Sequence, residues 1–370
     1  KIFELPTLGL YVSSFFVLVC SPILALQLQN TENTKLSTSE TTFLNQLSKV
    51  KFKDKPNVYI LFYDSMIPPL TARKYLGIER LGYDAVLEKD FIRLLPSATV
   101  RAPSKPSLNG LMRLDQKIME KGYVYFNGKK ISPLAKLFSS NGYRVTTGYK
   151  NYYFGLKGPY IDRYVIRTDR PLSSSPQCID VGNSPFQRLR SFGICELLGK
   201  YSINHLTRLI ERRGLRVKLW PEQVYEEIQS GAKSNRPELK IFYTYRPNGH
   251  TKGDYRHSDL QKRKVYKKYF NEGARRLSII LEDLVALIKS EDPKSLVLVA
   301  GDHGAYLSRG LKKEKDPKFY MEDIHMIDSA IMATQHPCAN KERLFNESPG
   351  YFTPSRIVVS LVNCLAGNQS

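Results

Sequence analysis

Five short runs of β-branched and aromatic residues punctuate the chain, and each reads as a strand. They are Asn57 to Tyr63 (NVYILFY), Gly142 to Thr147, Leu239 to Tyr245, Ser295 to Ala300 (SLVLVA) and, more weakly, Ser329 to Thr334. The strongest are hydrophobic almost without interruption, the pattern of strands covered on both faces and therefore of a parallel sheet between helices. Helical patterns alternate with them. From Ser258 to Ser290, Leu277, Ile280, Leu281, Leu284, Leu287 and Ile288 recur on one face with Lys and Arg opposite, and the pattern stops short of Pro293. A shorter helix is expected from Pro221 to Gly231, and a last one from Thr353-Pro354-Ser355 to Gly367, with starting and stopping residues where helices favour them. The fold class predicted is α/β, a mainly parallel central sheet sandwiched by helices. The chain of 370 residues suits one large domain, expected over 56–370. No internal repeat is found, and 173–220 reads as an irregular insertion.

The segment from Leu5 to Leu26 carries no charged residue, and as a helix its length would be roughly 33 Å, the hydrocarbon thickness of a bilayer. It reads as a transmembrane helix (domain 1–28), with a signal-peptide core or a buried helix as alternatives. Residue 1 is Lys, so the span is expected to be the last of a longer membrane region. From Gln27 to about Lys55 the composition turns polar, then basic, and 29–55 reads as a linker.

The formal net charge is +21. Such an excess of cations selects anionic partners: lipid head groups, glycans, or a phosphate or sulfate ester. No zinc-finger, RNA-binding or helix-turn-helix pattern accompanies the charge, so nucleic acid is not expected. The five cysteines include no CxxC pair. Cys178 and Cys195 are close enough to pair across a loop, and Cys338 and Cys364 pair or stay free on spacing alone.

The candidate chemistry lies where strands end. In an open parallel sheet, ligands bind beyond the carboxyl ends of the strands. NVYILFY runs into Asp64-Ser65, KIFYTY runs through Arg246 to His250, and SLVLVA runs into Gly301-Asp302-His303-Gly304. Taken singly, an aspartate after a strand is as readily a turn former, and a histidine in a Gly-rich loop a surface residue. Together they point into one crevice.

In order and spacing, PNVYILFYDSM, YTYRPNGH and VLVAGDHGAYLSRG resemble the first metal aspartate, the substrate histidine and the Asp-His-Gly metal turn of sulfatases, within the alkaline phosphatase superfamily. Ala102-Pro103-Ser104-Lys105-Pro106-Ser107 resembles their nucleophile turn, and FTPSRIVVSLVNCLAG their terminal helix. The resemblance spans Pro56 to Gly367. It implies that Asp64, Asp302 and His303 bind a metal, that Ser104 completes the shell as nucleophile, and that His250 contacts the group being transferred. Lys105, Arg246 and His325 are further candidates for substrate contact, Arg101 for anion binding, and Ser107 is a competing nucleophile.

Three positions depart from the sulfatase pattern. Leu108 stands where formylglycine-forming enzymes read an Arg. Ser65 replaces a second aspartate, and His303 stands where an Asn is usual. These features resemble the single-metal phosphoethanolamine and phosphoglycerol transferases, with membrane spans before an extracytoplasmic catalytic domain and an unmodified Ser or Thr nucleophile. One imidazole in the shell favours zinc or manganese over calcium or magnesium. Ala305 lacks the acidic residue often found after the metal turn. A formylglycine sulfatase and a metal-free anion-binding module remain as alternatives.

Overall fold

The computed structural model describes residues 38–100, 102, 104–114, 131–149, 158–166, 220–244, 260–307, 317–340, 342 and 350–367. At their centre is a seven-stranded sheet in the order β2-β9-β7-β1-β6-β4-β5. Its strands are β1 (Val58–Tyr63), β2 (Phe91–Arg93), β4 (Arg144–Tyr149), β5 (Arg163–Ile166), β6 (Glu238–Thr244), β7 (Leu296–Gly301) and β9 (Ser329–Met332). A second sheet pairs β3 (Ser97–Ala98) with β8 (Met326–Ile327).

β1 lies between β6 and β7, parallel to both, and its uninterrupted hydrophobicity has a direct cause. Val58, Ile60 and Phe62 enter one core while Tyr59, Leu61 and Tyr63 enter the other. The first core lies under α1 (Thr38–Lys49), α3 (Ser104–Arg113), α4 (Pro133–Ser140) and α8 (Pro354–Leu365). The second lies under α2 (Asp84–Asp90), α5 (Trp220–Ala232) and α6 (Leu260–Glu291). A further helix, α7 (Pro317–His325), precedes β8. On α6, Leu277, Leu281, Leu284 and Ile288 are fully or almost fully buried, as the helical spacing predicts. α8 starts where expected, with the Thr353 hydroxyl accepting from Arg356 N.

The sheet is mixed at one side. β9, expected from Ser329 to Thr334, is antiparallel to β7, and β2 is antiparallel to β9. β2 and β5 were outside the expected set. They are short edge strands whose few residues give no hydrophobic run to read.

Within the segment read as a linker, Thr38–Lys49 forms α1, and the residues after it are bound to the domain. Phe52 N donates to Asn141 Oδ1 at 2.8 Å and Lys53 N to Leu365 O at 2.7 Å. The folded domain thus takes in residues ahead of Pro56. Cys338 and Cys364 form a disulfide joining the chain after β9 to α8. Cys178 and Cys195 lie outside the described residues, as do Leu5 to Leu26, 29–37 and 173–219. Among the described residues no helix is long and apolar enough to cross a membrane.

One buried ionic cluster fixes the carboxyl end of the sheet. Arg93 Nε donates to Asp328 Oδ2 at 3.0 Å, and Arg93 also bonds Asp84 at 2.5 Å. Asp328 in turn ties two strand ends: its carbonyl accepts from Gly301 N at 2.9 Å and its N–H donates to Met66 O at 2.8 Å. Arg93→Ala would leave two buried carboxylates without their cation. A loss of about 3–5 kcal/mol is expected from urea unfolding, and a loss under 1 kcal/mol would refute this role.

Candidate metal centre

β1 and β7 are paired with Tyr63 opposite Gly301. The next residue on each is an aspartate, so Asp64 and Asp302 leave the sheet side by side, about 4.8 Å apart at the backbone. Asp302 N donates to Tyr63 O at 3.2 Å, carrying the ladder one step further. Because side chains alternate along a strand, Asp64 shares the α3-facing side with Phe62. Both carboxylates are buried.

Ser65 turns the chain with a left-handed φ of 56°, uncommon for a residue with a side chain. The turn aims its N–H at Asp302 Oδ1 (3.0 Å) and its hydroxyl at Asp64 Oδ1 (3.2 Å). One residue therefore orients both carboxylates.

His303 completes a triad. Its Nδ1 lies 2.8 Å from Gly304 O. With that carbonyl as acceptor, the assigned tautomer carries hydrogen on Nδ1 and presents the Nε2 lone pair to the pocket. Nε2 is 3.4 Å from Asp64 Oδ1 and 3.5 Å from Asp302 Oδ2. A tetrahedral cation about 2.1 Å from each of its ligands needs them about 3.4 Å apart. One ligand atom from each residue lies within 4.8 Å of the others. Two carboxylates and an imidazole thus fit a divalent ion.

The electrostatics agree. Burial raises the proton affinity of Asp302, and the neighbouring Asp64 charge adds to it against the pull of His303. Burial works against a charged His303, but the Asp302 and Asp64 carboxylates outweigh it, and its pKa is raised. Burial and the like charge of Asp64 thus disfavour an ionised Asp302.

Two glycines are required by close backbone approach. A Cβ on Gly301 would lie 2.3 Å from Met66 O, and one on Gly304 would lie 2.0 Å from Asp323 O. The second contact explains the glycine of the Asp-His-Gly turn: α7 crosses it there, with Gly304 N donating to Ile324 O at 2.8 Å.

Ser104 is the first residue of α3 and is buried. Its hydroxyl meets the triad through Asp302 and through Tyr243. Tyr243 Oη is 3.0 Å from Asp302 Oδ2 and 3.3 Å from Ser104 Oγ. Burial above all, and then the Asp302 and Asp64 charges, push the Tyr243 phenol well above its ordinary pKa, so it remains protonated. Ser107, the competing nucleophile, instead bonds Thr99 Oγ1 at 2.7 Å. His325 ends α7, buried, with Nδ1 3.2 Å from Thr99 O. It braces the segment that leads to Ser104, and it is not among the residues of the triad.

The fold thus brings Asp64, Asp302, His303 and Ser104 together. Arg101, Arg246 and His250 lie outside the described residues, as does the side chain of Lys105. Sequence reasoning passed over Tyr243 and gave Ser65 no role beyond replacing an aspartate. Within KIFYTY a tyrosine is an ordinary buried-strand residue, and only its place near the carboxyl end of β6 hinted at the pocket.

Fold and site define a mixed α/β protein with a candidate one-metal centre at the carboxyl edge of its sheet. The chain is similar to several solved structures. One is the zinc complex of the C-terminal periplasmic domain of EptC from Escherichia coli, at 12% identity and a TM-score of 0.49, covering 85% of this chain and 83% of that one. Another is the lipoteichoic acid synthase LtaP from Listeria monocytogenes, at 12% identity and 0.45, covering 80% and 72%. A third, described as a protein in the alkaline phosphatase superfamily from Vibrio parahaemolyticus, gives 13% and 0.46 over 82% and 70%. No family model matches the chain, and no curated protein matches it either.

Proposed function

We propose that the protein is a metal-dependent transferase of the alkaline phosphatase superfamily, moving a phospho-substituent from a lipid-like donor to a glycan or lipid acceptor through a covalent Ser104 intermediate. The observation that carries this reading is the Ser104 hydroxyl, placed at a helix start and sharing Asp302 with a three-residue cation pocket.

Asp64, Asp302 and His303 would hold the cation, zinc or manganese, and Ser104 would complete the set of residues around it. A bound divalent ion supplies Lewis acidity, lowering the pKa of a coordinated hydroxyl and polarising a phosphoryl oxygen. Ser104 gives up its hydroxyl proton to solvent, its Oγ attacks phosphorus, and the bond from phosphorus to the donor's leaving oxygen breaks as His250 donates a proton to that oxygen. The acceptor hydroxyl then attacks the same phosphorus and passes its proton to the deprotonated His250, and the bond to Ser104 Oγ breaks, so that the group leaves on the acceptor and the serine is freed. Lys105 and Arg246 bind the anionic substrate. The N-terminal end of α3 adds positive potential beside Ser104.

An extracytoplasmic site on a membrane-anchored chain fits this chemistry. The Cys338–Cys364 disulfide supports an oxidising compartment, and the charge of +21 suits an anionic surface.

The test is to load the protein with zinc or manganese, incubate it with phosphatidylethanolamine or phosphatidylglycerol in mixed micelles, and measure the mass of the peptide bearing Ser104. A phospho-adduct on Ser104 is expected. An aldehyde at that position would mark a sulfatase instead, and absence of both adduct and bound metal would leave an anion-binding module.

A further inference from the structure

The site contains a group that neither ligates nor attacks. Tyr243 comes from β6, two strands away from Asp302, with β1 between them. Its ring is packed in the core beneath α3 together with Phe62, to which it is paired in register. Only its Oη emerges among polar atoms, 3.0 Å from Asp302 Oδ2 and 3.3 Å from Ser104 Oγ. Asp302 Oδ1 is held from the other side by Ser65 N at 3.0 Å. The carboxylate is therefore clamped at both oxygens, and the Oδ2 clamp is shared with the serine.

We propose that Tyr243 is a positioning residue, whose hydroxyl fixes Asp302 Oδ2 and Ser104 Oγ relative to one another and so sets the metal affinity of the site and the place of its nucleophile. The inference rests on the proposed metal-dependent reading. Its physical basis is that a carboxylate ligand free to rotate must be ordered when the ion binds, whereas one held by a buried donor is ordered beforehand. The rigid ring fixes the donor in two rotatable bonds, and the core fixes the ring. A phenol hydroxyl can serve both partners from one fixed point: it donates to the carboxylate and lies within hydrogen-bond reach of the serine oxygen.

A buried tyrosine hydroxyl also has a purely structural use, and the same fold supplies a control. Tyr59 on β1 is likewise fully buried and donates to a carboxylate, Asp292 Oδ2, at 2.8 Å. It lies near the amino end of the strand, away from the site. A merely structural role for Tyr243 predicts that Tyr243→Phe and Tyr59→Phe behave alike.

The experiment measures zinc affinity of the folded protein by chelator competition, without substrate, alongside thermal unfolding of the metal-free form. Tyr243→Phe is expected to bind zinc about 10–100-fold more weakly, while Tyr59→Phe binds as wild type does. In a Ser104→Ala background the loss from Tyr243→Phe should shrink, because the two hydroxyls act as one unit. Unchanged zinc affinity in Tyr243→Phe, or equal losses in the two Phe variants, overturns the proposal. Fully additive losses with Ser104→Ala overturn its serine half. If wild type itself binds no divalent ion, the proposed function falls with it. If wild type binds and Tyr243→Phe binds equally well, only this inference falls.

Discussion

Ser104→Ala is expected to abolish turnover while leaving the protein folded and able to bind metal. Removal of a nucleophile in comparable covalent mechanisms costs factors of 10³ or more, typically about 10⁶ in kcat. The structure says why the loss should be confined to chemistry. Ser104 opens α3, and the core contacts of that helix come from Leu108, Leu111 and Met112 further along. Deleting one hydroxyl removes the bonds to Tyr243 and Asp302 without opening a cavity. Asp64, Asp302 and His303 stay in place, so zinc affinity should fall far less than turnover does. Ser107→Ala is the matched control. Its hydroxyl bonds Thr99 and is buried, so its loss should lower stability by about 1 kcal/mol and leave the adduct on Ser104 intact. Turnover by Ser104→Ala within tenfold of wild type would refute a covalent serine mechanism.

The sheet and the triad were legible in the sequence for one physical reason. Strands buried on both faces must be hydrophobic at every position, so NVYILFY and SLVLVA stand out, and a polar residue can follow only where the strand leaves the core. Asp64 and Asp302-His303 sit at those exits. What the sequence could not show depends on contacts between distant segments. The left-handed turn at Ser65 serves both carboxylates only because β1 and β7 are in register. Arg93 reads as an ordinary surface cation until Asp84 and Asp328 are brought to it. The antiparallel direction of β9 is likewise silent in its composition, because Ser329–Met332 is as apolar as a parallel strand of the same length. The Cys338–Cys364 bond was one of two open possibilities on spacing alone, and packing of α8 decides it.

Asp302→Asn should move metal binding and metal-free stability in opposite directions, and this separates a metal site from a structural polar cluster. Without a cation, Asp302 is buried beside Asp64, and burial together with that neighbouring charge disfavours its ionised form. The amide removes one negative charge from the pocket. It can keep the bond from Ser65 N through its own oxygen, while its NH₂ faces Tyr243 and His303. The metal-free variant should therefore unfold at a higher temperature than metal-free wild type at neutral pH. Adding zinc reverses the order. A ligand at 1,000 times its dissociation constant stabilises the folded state by about 4 kcal/mol, and an amide in place of a carboxylate forfeits most of that because it brings no charge to the ion. Thermal unfolding of both proteins, with and without zinc, reads out all four states. Wild type should gain stability with zinc and Asp302→Asn should gain little. An equal gain in both would mean that the ion binds elsewhere. A metal-free variant less stable than wild type would mean that Asp302 is held by hydrogen bonds strong enough to make its charge an asset to the fold despite its burial beside Asp64.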